Sequence, residues 1–220
     1  MKRLNIICEG QTEERFVNDV LAPHLQNYQV YATARCWAKR GQKGGGKSYD
    51  LVQNDIDKWI AQEGHNENVF FTLLIDFYGF PKQGNTIYDE DVINTPGTNR
   101  KIELLKEKMH SRVNNFHRFI PYIQVHEFEA LLFSNLDAAS EYFLGKEKEI
   151  ASLKLETHSF LPEEINETPE GAPSKRLDKY LNYAKQKTSA GPFIAGLITI
   201  ETIKNRCPHF NEWVTQLENL

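Results

Sequence analysis

The sequence predicts an α/β fold in which a mainly parallel sheet of about four or more strands carries helices on both faces, with a helical appendage at the C-terminal end. Three observations carry this reading. Strand-like and helix-like segments alternate four times between Met1 and Phe133, the order expected of a parallel sheet built from crossover units. The near-continuous apolar run Val69-Phe70-Phe71-Thr72-Leu73-Leu74-Ile75 suits a central strand covered on both sides. Beyond Gly145 strand signals give way to helical spacing. The expected division is an α/β core over 1–144, then an acidic linker and helical appendage packed on it over 145–220.

Taken in order, Leu4-Asn5-Ile6-Ile7-Cys8 reads as a short buried strand that ends at Glu9-Gly10. Thr12 is the expected N-cap of a helix with Phe16, Val17, Val20, Leu21 and Leu25 on one face, and Pro23 should kink it or end its regular part. Val30 to Trp37 forms a second strand, followed by a glycine-rich stretch from Gly41 to Gly46. Ser48 caps the next helix, which presents Leu51, Val52, Ile56, Trp59 and Ile60. The third strand is Val69 to Ile75. From Pro81 to Thr98 the composition turns to Gly, Pro, Asn and Asp, a connection longer than usual and therefore a lid or binding loop. Ile102, Leu105, Met109 and Val113 mark a helix, Phe119 to Val125 a fourth strand, and Ala130 to Phe133 the start of another helix. In the appendage, Leu177, Tyr180, Leu181 and Ala184, then Trp213, Leu217 and Leu220, recur at helical spacing.

A chain of 220 residues with 40% hydrophobic and 11% aromatic content can bury a substantial core, which excludes a largely disordered protein. No apolar run approaches the roughly 18 residues of a membrane span, and the N-terminal apolar stretch is too short for a signal peptide. Cys8, Cys36 and Cys207 are odd in number and far apart, which argues against a disulfide framework and for a cytoplasmic location. The net charge of −4 is uneven. Gly145 to Glu170 holds three lysines against seven glutamates, while Ala32 to Tyr49 carries Arg35, Lys39, Arg40, Lys43 and Lys47 and no acid. Local basic patches of that kind, not the total, decide whether a phosphate-bearing partner can be held.

In an open parallel sheet, ligands bind beyond the carboxyl ends of the strands. Three of the four expected strands end in acids there: Glu9, Asp76, and Glu127 with Glu129. Converging carboxylates repel unless a hard cation sits among them, and oxygen donors suit Mg²⁺ or Mn²⁺. Such an ion would polarise a phosphoryl oxygen and activate water. The alternative for each acid is a helix cap, and Glu13 and Glu14 are read as complementing the dipole of the first helix.

Glu9-Gly10-Gln11-Thr12-Glu13 after an N-terminal strand resembles the E-G-x-T-E signature of TOPRIM-type nuclease domains. The chain is more similar still to an uncharacterised bacterial family, domain of unknown function 4276, regarded as TOPRIM-like. The matching stretches are the E-G-x-T-E-E run, Asp76-Phe77-Tyr78-Gly79-Phe80-Pro81, His126-Glu127-Phe128-Glu129-Ala130-Leu131-Leu132-Phe133, Ala172-Pro173-Ser174-Lys175-Arg176 and Cys207-Pro208-His209-Phe210. The resemblance implies a TOPRIM-like (Rossmann-like) fold in which Glu9 acts as acid/base or metal ligand and Asp76 holds Mg²⁺. It also implies phage-defence or DNA-processing systems, with an ATPase partner in some of them. The sequence departs from the TOPRIM D-x-D pattern because Tyr78 stands at the second acidic position, so Glu127 or Glu129 would have to supply that charge.

A second motif competes. Gly41-Gln42-Lys43-Gly44-Gly45-Gly46-Lys47-Ser48 satisfies the phosphate-loop pattern and lies between an expected strand and an expected helix. In that reading Lys47 meets phosphate and Ser48 meets Mg²⁺; the alternative is a basic loop that grips nucleic-acid phosphates, or plain surface charge. The candidate phosphate or nucleic-acid contacts are Gly10, Lys39, Arg40, Lys43 and Lys47, with Lys175 and Arg176 after Pro173-Ser174 as a second basic point near an expected helix start that reads equally as a solvated face. His126 reads as a general base or nucleic-acid contact, or as a packed histidine. Tyr78 reads as a base-stacking ring or an aromatic seal at the strand end. Cys207 and His209 lack zinc partners at suitable spacing and read as structural. The function expected is a Mg²⁺-dependent phosphodiesterase of nuclease type, with nucleic acid the expected partner and the substrate left open among DNA, RNA, a nucleotide and another phosphate ester. The alternatives are a catalytically weak module that binds nucleic acid or an ATPase, and a P-loop nucleotidase. The sequence leaves the oligomeric state open.

Overall fold

The strands Lys2–Cys8 (β1), Val30–Cys36 (β2) and Val69–Asp76 (β3), with the two-residue segments Phe119–Ile120 (β4) and Ile123–Gln124 (β5), form one parallel sheet in the order β2-β1-β3-β4, with β5 also on β3. The computed structural model describes residues 1–37, 48–166 and 171–220. The expected single strand over 119–125 is thus two short pieces on one partner. Pro121 between them has no N–H to give to the ladder, and pairing stops there. The other strands follow the sequence reading closely.

The first helical region is divided in three: Gln11–Phe16 (α1), a π-helical turn over Val17–Leu21, and Ala22–Gln26 (α2). Pro23 sits at the start of α2, and the wide turn just before it accommodates the missing hydrogen bond. The N-cap is Gly10, in extended conformation and without a side-chain cap, and Thr12 is a buried residue of the first turn. Tyr49–Glu63 (α3) is capped by Ser48 as expected. Glu90–Asn94 (α4) interrupts the long loop, capped by Asp89, and Thr98–Arg112 (α5) follows. The helix expected from Ala130 is a 3-10 segment, Phe128–Ser134, continued by another over Leu136–Glu141. The remaining helices are Glu147–Thr157 (α6), Pro173–Leu181 (α7), Lys187–Ile198 (α8), Ile200–Arg206 (α9) and Pro208–Glu218 (α10).

Strand alternation sorts the core onto two faces. Leu4, Ile6, Cys8 and Leu74 point into one cluster, and Ile7, Leu73 and Ile75 into the other. The second is closed by Val52, Ile56 and Trp59 of α3 and Ile102, Leu105 and Met109 of α5. The first holds Phe16 and Leu21 together with Leu177, Ile194, Phe210 and Trp213. Helices beyond residue 144 therefore build one face of the same core that β1 and β3 enter. Among the described residues, no helix is long and apolar enough to cross a membrane.

Candidate active site

Because every strand pair is parallel, the carboxyl ends of β1, β3 and β5 share one edge, and the acids that follow them meet there. The Asp76 backbone N–H donates to Glu9 Oε2 at 3.2 Å, and Asp76 Oδ1 accepts from the Phe128 N–H at 2.8 Å. Asp76 thus links the end of β1 to the segment after β5. Tyr78 N–H donates to His126 O at 3.1 Å, and Phe77 N–H to Gln124 O at 3.0 Å, which continues the pairing past the strand ends. His126 has φ +63°, the left-handed turn just before the segment whose Phe128 N–H meets Asp76.

Glu13 and Glu129 are buried, at 6% and 4% exposure. Burial pushes the Asp76 carboxyl well above its ordinary range, and the charges of Glu13, Glu9, Glu129 and Glu127 push it further. Glu13 is raised by burial, with Glu9 adding to the effect. Glu129 is pushed up to about 7 by burial, with Glu127 and Glu13 adding and Lys187 opposing. Glu13 is thus a member of the carboxylate group, because its helix begins immediately after Glu9 and its first turn faces the strand ends.

Glu127 is anchored elsewhere: it accepts from Ser174 N–H and Ser174 Oγ, both at 3.0 Å, at the first turn of α7. Tyr78 is partly exposed and rests against the His126 ring, centroids 5.6 Å apart. Burial lowers His126 to about 4, so its imidazole is neutral near neutral pH. Its Nδ1 lies 3.3 Å from Asn166 Nδ2.

The sequence-selected cations fare unevenly. Lys39, Arg40, Lys43 and Lys47, with the rest of Gly41–Lys47, lie outside the described residues. Ser48 is engaged as the α3 cap, accepting from Asp50 N–H, and its hydroxyl donates to Asn85 O at 3.3 Å. Arg35 is stacked 3.7 Å over Trp59 and donates to Asp55 O. Arg176 pairs with Glu156 and donates to Gly171 O at 2.7 Å; its guanidinium ties α7 to α6. Lys175 is exposed on α7. Gly10 caps α1, and a methyl group there would stand 3.2 Å from Glu13 Oε2. Cys207 is bonded to Ser134 and His209 to Ile123 O, both in structural contacts.

Two residues absent from the sequence reading belong to the site. Lys187, at the start of α8, has its ammonium form opposed by partial burial of the side chain, while the combined charges of Glu129, Glu13, Asp76 and Glu9 favour it more. Tyr183 is fully buried beside Glu129, and burial together with that carboxylate raises its phenol. A helical pattern could have shown that Lys187 opens α8, but no local signal says that α8 lies on α1. Gly191 is what permits that approach, since a methyl group there would meet Tyr183 Oη at 2.7 Å and Thr12 Cγ2 at 3.1 Å.

Oxygen-only donors fit a hard divalent ion, which takes one or two carboxylates directly and keeps several waters. Among the described residues, these acids do not form a group of three whose ligand atoms all lie within 4.8 Å of one another. Among the described residues, the trio that does approach so closely is His24, Glu201 and Glu218. There the Lys204 amine already sits 2.7 Å from both Glu218 oxygens, and His24 Nε2 is 2.7 Å from Oε1. The charges of that network are met within the chain.

No curated protein and no solved structure matches this chain. The family model described as "Domain of unknown function (DUF4276)" matches residues 8–218, nearly the whole sequence, and the chain belongs to that family.

Proposed function

We propose that this protein is a metal-dependent, phosphodiester-cleaving enzyme of nuclease type with a TOPRIM-like site, and that Mg²⁺ or Mn²⁺ is held by Glu9 and Asp76, with Glu127 and Glu129 completing the acidic surroundings. The observation that carries the reading is the linkage Glu9–Asp76–Phe128, which draws acids from three strand ends to one edge. When bound, such an ion polarises a phosphoryl oxygen and makes water more acidic. The chain's own groups do the rest. Glu9 and Asp76 are held in place by backbone N–H groups of the same edge. Glu129, near 7, can hold or release a proton at neutral pH. Lys187 places positive charge beside the acids, where a phosphate would otherwise be repelled.

The test is cleavage of single-stranded and duplex DNA, RNA and bis(p-nitrophenyl) phosphate with Mg²⁺ or Mn²⁺. Asp76→Asn and Glu9→Gln should abolish turnover while the folded state is kept. Undiminished turnover in both would overturn the reading. Calorimetric titration showing no binding of either ion would favour the alternative, a catalytically weak module that engages nucleic acid or a partner ATPase.

A further inference from the structure

The loop that leaves β3 carries a second charged feature, seated on the cluster that holds Phe77 and Phe80 with Tyr88 packed against it. Lys82 Nζ lies 5.1 Å from the Phe77 ring centroid and 5.3 Å from that of Tyr88, while Lys101 Nζ lies 5.9 Å from Tyr88. Two ammonium groups therefore share one aromatic ring. That ring is fixed from below, because Phe77 and Phe80 each contact Tyr88 at 6.2 Å and Phe80 stacks on Tyr49 at 5.9 Å. Lys101 is held by its bond to Ile93 O at 2.7 Å.

Like charges kept together on a surface call for a compensating anion. Two acids of the loop are already engaged. Asp89 and Asp91 are bound to Lys108 at 2.7 and 3.3 Å. Among the described residues, no carboxylate forms an ion pair with Lys82 or Lys101. Burial and the charge of Lys101 lower the Lys82 amine, a strain that an anion between them would relieve. Ring-bound ammonium groups keep N–H donors free for oxygen.

We propose that Lys82 and Lys101, seated on Tyr88, form a phosphate subsite for a single nucleic-acid strand, holding a phosphodiester group next to the one presented to the carboxylates. The subsite rests on the reading of the carboxylate edge as the place of cleavage. Lys82 Nζ lies over the ring of Phe77, the residue that follows Asp76 at the end of β3, so the two lysines stand beside the strand end that carries the acid.

The experiment is fluorescence-anisotropy binding of a fluorescein-labelled single-stranded oligodeoxynucleotide at several salt concentrations with metal chelated. Lys82→Gln and Lys101→Gln should each lower the slope of log K against log salt by about 0.7, the single-strand value for one phosphate contact. Lys108→Gln, on the same helix but paired with Asp89 and Asp91, should leave the slope unchanged. Unaltered slopes in the first two variants, an equal drop in the third, or no binding by the wild-type chain would each overturn the subsite. Competition separates the sources of phosphate: if inorganic phosphate displaces the oligonucleotide at comparable concentration, the site takes free phosphate and the strand proposal fails. Hydrolysis of bis(p-nitrophenyl) phosphate, which offers a single phosphate, reports the carboxylates alone. Retained hydrolysis with unaltered slopes removes the subsite and leaves the cleavage reading standing; absent hydrolysis with lowered slopes does the reverse.

Discussion

Gly79 lies directly against the carboxylate of Glu9, so closely that a methyl group on its Cα would stand 2.2 and 2.3 Å from the two oxygens. The turn after β3 thus sets where the first acid of the site can be. Gly79→Ala must displace the Glu9 side chain, because the blocking atoms belong to that flexible carboxylate. The expected result is a stability loss of about 1–3 kcal/mol for overpacking and a fall in metal-dependent turnover on the order of 100-fold for a misplaced group. Denaturant titration and the hydrolysis assay check this; full turnover at unchanged stability would show that Glu9 need not stay where Gly79 leaves it.

The same contact shows what the sequence could disclose. Glu9, Asp76, Glu127 and Glu129 are legible because each follows a strand-like run, and parallel topology then brings the strand ends together. Glu13 is harder, since an acid in a first helical turn reads as a dipole partner until its burial is known. Lys187 and Tyr183 are not legible at all. Their presence depends on α8 packing over α1 at Gly191, a contact between segments about 180 residues apart that no local pattern encodes. The split of the fourth strand was written at Pro121, whose missing N–H outweighs the β-propensity of its neighbours. Arg176 reads as a phosphate contact or a solvated charge from its place near an expected helix start, yet Glu156 provides its anion within the chain.

Glu129 links the site to stability through pH. Its carboxyl, ordinarily near 4.5, is raised to about 7 in the folded chain. Between those values the folded state keeps a proton that the unfolded state has released, so this group's contribution falls as pH rises through that window and levels off above it. Glu129→Gln removes the group. The stability of the variant relative to wild type should therefore increase from about pH 5 to about pH 8, by up to about 3 kcal/mol. Urea titrations in chelator measure the difference, and a difference independent of pH would mean that the carboxyl is ordinary. Added Mg²⁺ should reduce the gap at the alkaline end by stabilising the charged wild-type site.

Arg176→Ala separates a structural cation from a substrate contact. The side chain bonds Glu156 and Gly171 O, and Glu156 also receives Lys179 at 3.1 Å and the Tyr180 hydroxyl at 2.7 Å. Removing the guanidinium should cost about 1–3 kcal/mol, as expected when a charged hydrogen-bond partner is lost. The salt slope of oligonucleotide binding should not change. A lowered slope with intact stability would return Arg176 to the binding surface.

Trp213 tests whether the C-terminal helices are integral to the core. Its indole Nε1–H donates to Thr72 Oγ1 at 3.0 Å, and that hydroxyl in turn donates to Ile120 O at 2.5 Å, so α10 is bonded through the central strand to β4. The indole also stacks on Tyr122, centroids 4.2 Å apart and planes within 7°, immediately after the Pro121 break. Trp213→Phe keeps an aromatic ring but drops the donor, and should cost about 1 kcal/mol. Trp213→Ala also opens a cavity in the cluster shared by Leu4, Ile6, Phe16 and Phe210, and should cost about 3–5 kcal/mol. Because residues from both ends of the chain line that cluster, the loss should appear as one cooperative transition displaced as a whole. Two separate transitions, with only the later one insensitive to Trp213, would instead mean that residues 145–220 fold on a core stable without them.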